Sequence, residues 1–203
     1  MDTFTTGFQS NDMDLKVQPV FCGLPMPGTK IKIVDFNSGE LLPLGQEGEI
    51  AIQTPSLMSR YWNMKEESNR VFRDGWFYTG DSGSLDEEGF LHFLGRRKEM
   101  LKVNGMSVFP SEIEVLMSKI PGIEGCGVVG QEDSDKGQIP IAFVQLVPKY
   151  KEKLNEKQIQ QWCKENMAVY KVPIVRIIDC LPLTATGKVK KGKLEKDYLQ
   201  KSY

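Results

Sequence analysis

Along the first half of the chain, apolar residues come in short runs rather than in helical stripes. Thr29–Val34, Glu49–Gln53 and Phe90–Leu94 are β-type runs, with turn signals around them at Pro27-Gly28, Asn37-Ser38-Gly39 and Asp74-Gly75. Short strands with frequent turns predict a β-rich unit, part of a barrel or a sandwich. Beyond Gly95 the period changes. Ile113, Leu116, Met117 and Ile120 fall at i, i+3, i+4 and i+7, one apolar helical face. Ser111 with Glu114 predicts a capping box at its start, and Pro121-Gly122 predicts its end. Gly127–Val129 and Ile141–Val147 predict strands. Asn155, with Gln158 at the third helical position, predicts a second helix striped by Ile159, Trp162, Cys163 and Met167. Ile174–Ile178 follows Pro173 as another strand, and a lysine-rich helix begins at Lys190. The expected fold class is α+β: a β-rich segment over residues 1–95, then a small mixed α+β domain over residues 96–203.

Composition narrows the function classes. At 203 residues the chain can bury a real core in one large or two small domains. Lys plus Arg is 26 and Asp plus Glu is 27, for a net charge of −1. No long-range positive field gathers phosphates, so nucleic acid is not expected as the main partner. The four cysteines, Cys22, Cys126, Cys163 and Cys180, form no C-x-x-C pair, and His92 is the only histidine. A structural zinc site is therefore not expected. Scattered thiols and an N-terminus without a leader pattern read as reduced, buried cysteines in a cytoplasmic protein. No stretch approaches the roughly 20 apolar residues of a transmembrane helix.

Three segments carry candidate chemistry: Gly75-Trp76-Phe77-Tyr78-Thr79-Gly80-Asp81, then Gly95 to Glu114, then Pro182-Leu183-Thr184-Ala185-Thr186-Gly187-Lys188-Val189. Taken singly, each has a plainer explanation. Asp81 after a Thr-Gly turn can present a carboxylate to two hydroxyls, or it can be a solvated turn aspartate. Arg96 can grip an anion, or it can belong to the solvated face formed with Arg97 and Lys98. Gly105 after Asn104 marks a tight turn. Lys188 lies in a loop that reads as mobile, able to place one positive charge on a phosphoryl group, or it is a surface lysine. Pro182 and Val189 stand where a Walker A loop needs Gly and Ser or Thr, so the Gly-Lys pair is not a P-loop.

Together and in this order, the three segments resemble successive signatures of the adenylate-forming superfamily, which includes acyl-CoA synthetases. Gly23-Leu24-Pro25-Met26-Pro27-Gly28 and Gly48-Glu49-Ile50 resemble it too, so the likeness covers nearly the whole chain. The resemblance implies an acid-thiol ligase: a carboxylic acid and ATP give an acyl-adenylate and pyrophosphate, and coenzyme A then displaces AMP. By resemblance Asp81 binds the ribose hydroxyls, Arg96 assists, Lys98 is the hinge, and Lys188 stabilises charge during adenylate formation. Gly105 belongs to the face that admits the pantetheine arm, and Lys102 is left between that face and simple support of the loop. ATP, CoA and Mg2+ are the implied cofactors, held mainly by upstream parts.

The family's phosphate loop ending in Pro-Lys-Gly and its Tyr-Gly-x-Thr-Glu motif are not in this sequence. The expectation is thus the β-rich end of a large N-terminal AMP-binding domain followed by a complete lid domain, inactive alone. Fatty acids are the expected acyl class by family frequency. A peptide-synthetase adenylation domain and a non-catalytic, lid-like interaction module are the rival readings. Exposed β edges predict homo-oligomers of the isolated chain.

Overall fold

A computed structural model describes residues 20–199. The start of the chain, including Met1, and the last four residues lie outside the described residues, as does the end of the lysine-rich segment. Two units are present, one within Gln18–Lys98 and one within Glu99–Tyr203.

The first unit is an antiparallel sheet. Its strands are β1 (Val20–Gly23), β2 (Lys30–Val34), β3 (Gly48–Gln53), β4 (Phe72–Arg73), β5 (Trp76–Leu85) and β6 (Leu91–Arg96), with a short helix α1 (Lys65–Val71) before β4. The order is β1-β6-β5-β3-β2, and β4 pairs with β5. This is an open sheet rather than a closed barrel, and β1 and β2 are its outer strands among the described residues. Interior β3 is covered on both faces. Ile50 and Ile52 pack with Ile33 and Leu91 on one side. Ala51 packs with Val34 and Tyr78 on the other. That second face is lined by cations over rings: Lys32 lies 4.4 Å from the Trp76 centroid and Arg73 4.2 Å from that of Tyr78. The period-2 alternation of β2 sends Ile31 and Ile33 to the aliphatic face and Lys32 to the aromatic one.

The second unit is a mixed sheet with helices on both faces. Its elements are β7 (Leu101–Val103), β8 (Met106–Val108), α2 (Pro110–Met117), β9 (Ile123–Asp133), β10 (Gly137–Leu146), α3 (Glu156–Asn166), β11 (Ile174–Ile177) and α4 (Lys191–Leu194). A π-helical turn, Glu195–Leu199, continues α4. β10 is the central strand, antiparallel to β9 from Asp133 to Ile123 and parallel to β11. Ala142, Val144 and Leu146 of β10 face α2 and α3, in a core with Ile113, Met117, Ile159 and Cys163. Ile141 and Phe143 face the other way, with Leu194 of α4 and Leu181. A strand buried on both faces reads as a nearly continuous apolar run, which is how Ile141–Val147 looks in the sequence.

The predicted helical faces are buried as expected: Ile113, Leu116, Met117 and Ile120 are each at most 5% exposed. The second helix also begins as expected. Asn155 Oδ1 accepts the Gln158 N–H at 3.0 Å, and the Gln158 side chain accepts the Asn155 N–H at 3.0 Å. The first helix differs from the expectation. Its N-cap is Phe109, not Ser111, and Glu112, not Glu114, reaches back to accept the Phe109 N–H at 2.9 Å. Pro110 explains the shift, because its fixed φ and missing N–H suit the first helical position. The Glu112 carboxylate also pairs with Lys171 Nζ at 2.5 Å, which ties the helix start to the segment before β11.

The cysteines are all free, but they are not uniformly buried: Cys163 is buried, Cys22 and Cys126 are partly covered, and Cys180 is exposed just after β11. Burial holds the Cys163 thiol up at about 11, so it stays protonated near neutral pH. No helix among the described residues is long and apolar enough to cross a membrane.

Candidate functional site

Asp81 does not follow a simple turn. It sits in a bulge within β5, where the register against β3 jumps from Ala51↔Tyr78 to Glu49↔Ser82. Thr79, Gly80 and Asp81 stand opposite the single residue Ile50, two more than a regular ladder holds, and three bonds fix them. Thr79 Oγ1 donates to the Ile50 carbonyl at 2.9 Å, the Gly80 N–H donates to Glu49 Oε1 at 3.1 Å, and the Asp81 N–H donates to Thr79 Oγ1 at 3.0 Å. A bulge re-aims the side chains that follow it. Across the sheet, Asp81 is the register partner of Arg96.

The two side chains meet, with Arg96 Nε 2.9 Å from Asp81 Oδ1. Arg96 Nη1 also donates to the Thr79 carbonyl at 3.3 Å. The Asp81 side chain keeps 23% of its surface exposed and that of Arg96 keeps 52%. The pair is therefore a preformed, solvent-reachable arrangement of one carboxylate and one guanidinium, able to accept from hydroxyls and donate to an anion.

Lys98 lies in a 3-10 turn, Arg97–Glu99, and is exposed as the last residue of the first unit. Arg97 just before it is fastened within that unit: its guanidinium carbon stands 4.8 Å from the Phe36 ring centroid, and Nη2 donates to Asn37 Oδ1 at 3.4 Å.

Gly105 forms the tip of the β7–β8 hairpin with Asn104. Their φ angles are +78° and +51°, and Val103 pairs with Met106 across the two-residue turn. Two successive left-handed residues are what a tight hairpin demands, so the Asn-Gly pair is explained by its backbone. A Cβ added at Gly105 would meet nothing within 4 Å, so the tip faces open space. Gly105→Ala is expected to cost about 1 kcal/mol in chemical denaturation, all from the left-handed backbone. A loss several times larger would mean that the hairpin tip is packed. Lys102 Nζ donates to Ser107 Oγ at 2.9 Å across the same hairpin, a contact that supports it.

The Lys188 segment, expected to be a mobile loop, is an internally bonded hairpin. Leu183 and Val189 form an antiparallel bridge. Within it the Thr184 N–H donates to the Lys188 carbonyl at 2.7 Å, the Lys188 N–H to Thr184 Oγ1 at 3.0 Å, and the Lys190 N–H to the Pro182 carbonyl at 2.7 Å. The backbone is held while the Lys188 side chain remains exposed.

One further residue had no local signal in the sequence. Lys191 Nζ lies 2.7 Å from Glu99 Oε2 and 3.0 Å from Glu114 Oε1. Burial opposes the charge on this ammonium, but Glu114 and Glu99 outweigh it and raise its pKa above the ordinary lysine value.

Asp81 and Arg96 are thus brought together in the first unit, with Lys98 at its end. Gly105 and Lys188 stand on two separate hairpins of the second unit.

Family comparisons agree with this order of segments. A model described as AMP-binding enzyme matches residues 3–62, and one described as AMP-binding enzyme C-terminal domain matches residues 112–188. A putative acyl-CoA ligase of Bacillus subtilis (strain 168) is 40% identical over 172 residues, covering 85% of this chain and 34% of the relative. A long-chain-fatty-acid–CoA ligase of Escherichia coli O157:H7 is 34% identical over 185 residues, covering 91% of this chain and 32% of the relative. Among solved structures, the o-succinylbenzoate CoA synthetase of Bacillus subtilis in complex with its acyl-adenylate intermediate superposes with a TM-score of 0.79 at 32% identity. That match covers 86% of this chain and 35% of the synthetase. The chain belongs to the adenylate-forming superfamily of AMP-binding enzymes. It spans about a third of the length of the curated relatives it matches.

Proposed function

We propose that the chain is the C-terminal part of an ATP-dependent acyl-CoA synthetase, with Mg2+ accompanying ATP and CoA as the acceptor. Residues up to about 95 would be the β-rich end of the AMP-binding domain, and the remainder the lid. The observation that carries the reading is the bulge in β5 that presents Asp81 beside Arg96. A nucleotide offers two vicinal ribose hydroxyls next to phosphates, and a carboxylate beside a guanidinium is the complementary arrangement. In the first half-reaction a substrate carboxylate oxygen attacks the α-phosphorus and pyrophosphate leaves. Lys188 supplies a fixed positive charge to the phosphoryl oxygens as the bonds exchange. In the second, the CoA thiol attacks the acyl carbon and AMP leaves, with Lys98 as the turning point of the lid and Gly105 on the face that admits the pantetheine arm. A lid also excludes the water that would hydrolyse the adenylate.

The acyl group is the finer part of the proposal. One relative is named for long-chain fatty acids and a structural neighbour for o-succinylbenzoate, so a medium- or long-chain fatty acid is favoured only as a first panel. The test is acyl-CoA formation from ATP, CoA and a panel of aliphatic and aromatic acids. It compares the isolated chain with the full reading frame that contains it. The expected result is thioester from the full frame and none from the chain. Thioester from the chain alone would overturn the assignment of nucleotide and acyl binding to upstream parts. Acyl-adenylate formed by the full frame but passed only to a carrier protein would favour a peptide-synthetase adenylation domain. No adenylate with any acid would favour a lid-like interaction module.

A further inference from the structure

Lys98 stands between residues that are fastened on both sides, each within its own unit. Before it, Arg96 is paired with Asp81, and Arg97 is held by Phe36 and Asn37. After it, Glu99 is held by Lys191 at 2.7 Å. Lys191 lies three residues beyond Lys188 and opens α4. Its ammonium also meets Glu114 Oε1, the same oxygen that accepts the Val128 N–H of β9 at 2.8 Å. One lysine therefore joins the residue after Lys98, helix α2, strand β9 and the base of the Lys188 hairpin.

Apolar contacts seat this hairpin on the sheet, and the Leu181 N–H just before it donates to Gln145 Oε1 at 2.8 Å on its Pro182 side. A Cβ at Gly127 of β9 would come within 2.7 Å of Val189 Cγ1 and 2.9 Å of Leu194 Cδ1, so hairpin and α4 lie close against the strand. Such packing is non-directional, whereas charge-assisted hydrogen bonds to two carboxylates fix direction as well as distance. Without the ammonium, Glu99 and Glu114 would be like charges sharing one partly covered site, and each would be driven away from the other.

Building on the proposed roles of Lys98 as hinge and Lys188 as catalytic cation, we infer that Lys191 is a positioning residue that locks the Lys188 hairpin to Glu99. Rotation at Lys98 then moves both as one rigid body. Lys191 touches no reacting atom. It converts a turn at one backbone position into a defined placement of an ammonium elsewhere on the same unit, the precision that a preorganised electrostatic group requires.

The test uses Lys191→Met, Lys191→Arg and the milder Glu99→Gln. In the isolated chain, amide hydrogen exchange is read at Thr184, Lys188 and Lys190 against Ala142 and Val144 in the centre of the sheet. In Lys191→Met the hairpin amides should exchange at least about tenfold faster while the sheet amides are unchanged, with Lys191→Arg near wild type and Glu99→Gln between. In the full reading frame, Lys191→Met should lower the rate of acyl-adenylate formation at saturating ATP and acid by about tenfold, with KM for ATP held and the Arg variant restoring the rate. Hairpin amides that exchange as in the wild type would overturn the inference, as would an equal rise at the sheet amides, which marks a merely structural ion pair. Adenylation unaffected by Lys191→Met, while Lys188→Ala blocks it, would also overturn it. If Lys188→Ala itself leaves adenylation intact, the function assigned to the lid fails, while the exchange data still decide the coupling.

Discussion

Lys188→Ala, made in the full reading frame, should slow acyl-adenylate formation by about 100- to 1,000-fold while leaving the transfer of a preformed acyl-adenylate to CoA within a few fold of wild type. The magnitude is what one preorganised electrostatic donor contributes when removed from a developing oxyanion, about 3–4 kcal/mol. The asymmetry follows from chemistry. Phosphoryl transfer spreads negative charge over the non-bridging oxygens, so a single ammonium is worth most in that step. In the thioester step the attacked atom is the acyl carbon. Folding gives an independent control. Lys188 is exposed, and the hairpin beneath it is closed by backbone groups and Thr184 Oγ1 rather than by the lysine side chain. Truncation should therefore leave stability within about 0.5 kcal/mol of wild type. Pyrophosphate exchange, single-turnover transfer from synthetic acyl-adenylate, and denaturation together read the three quantities. Equal losses in both half-reactions would mean that Lys188 is not tied to adenylation.

What the sequence reveals about this protein follows the range of the forces involved. The cap at Asn155 and the stripe below it are local, with partners three or four residues away, and both are found where expected. The start of α2 illustrates the limit. Ser111 and Glu114 have capping-box spacing, but Pro110 moves the helix start forward. Glu114 is then taken by partners that sequence distance hides, Val128 and Lys191. Asp74-Gly75 and Asn104-Gly105 are visible as turns, yet the first also joins two-residue β4 to β5 and the second joins the three-residue strands β7 and β8. Strands as short as β4, β7 and β8 carry no periodicity of their own. In the site, Asp81 and Arg96 were found by resemblance. The reason they meet lies in Glu49 and Ile50, about thirty residues earlier in the chain, which hold the bulge open. Lys191 had no signal short of the folded structure, because all that marks it is where Glu99 and Glu114 come to lie.

Asp81 carries the second large effect, and it should show in ATP affinity rather than in turnover. On its proposed role, replacing it by Ala removes a charged acceptor of two ribose hydroxyls. With each such hydrogen bond contributing about 1.5–3 kcal/mol, KM for ATP should rise by about 100-fold or more. Asp81→Asn keeps one acceptor oxygen, loses the charge beside Arg96, and should fall between. A structural role can be separated from this one. The Asp81–Arg96 pair is partly solvated, and ion pairs of this kind contribute at most about 1 kcal/mol to folding, so the stability of Asp81→Ala should change little. Deoxy analogues close the cycle. Wild type should discriminate against 2′-deoxy- or 3′-deoxy-ATP, and Asp81→Ala should lose that discrimination, because the partner hydroxyl no longer has anything to bond. If the mutant discriminates as strongly as wild type, the carboxylate is not the ribose ligand. The bulge in β5 would then be serving only to place Arg96, whose guanidinium would keep its bond to the Thr79 carbonyl and face the nucleotide alone.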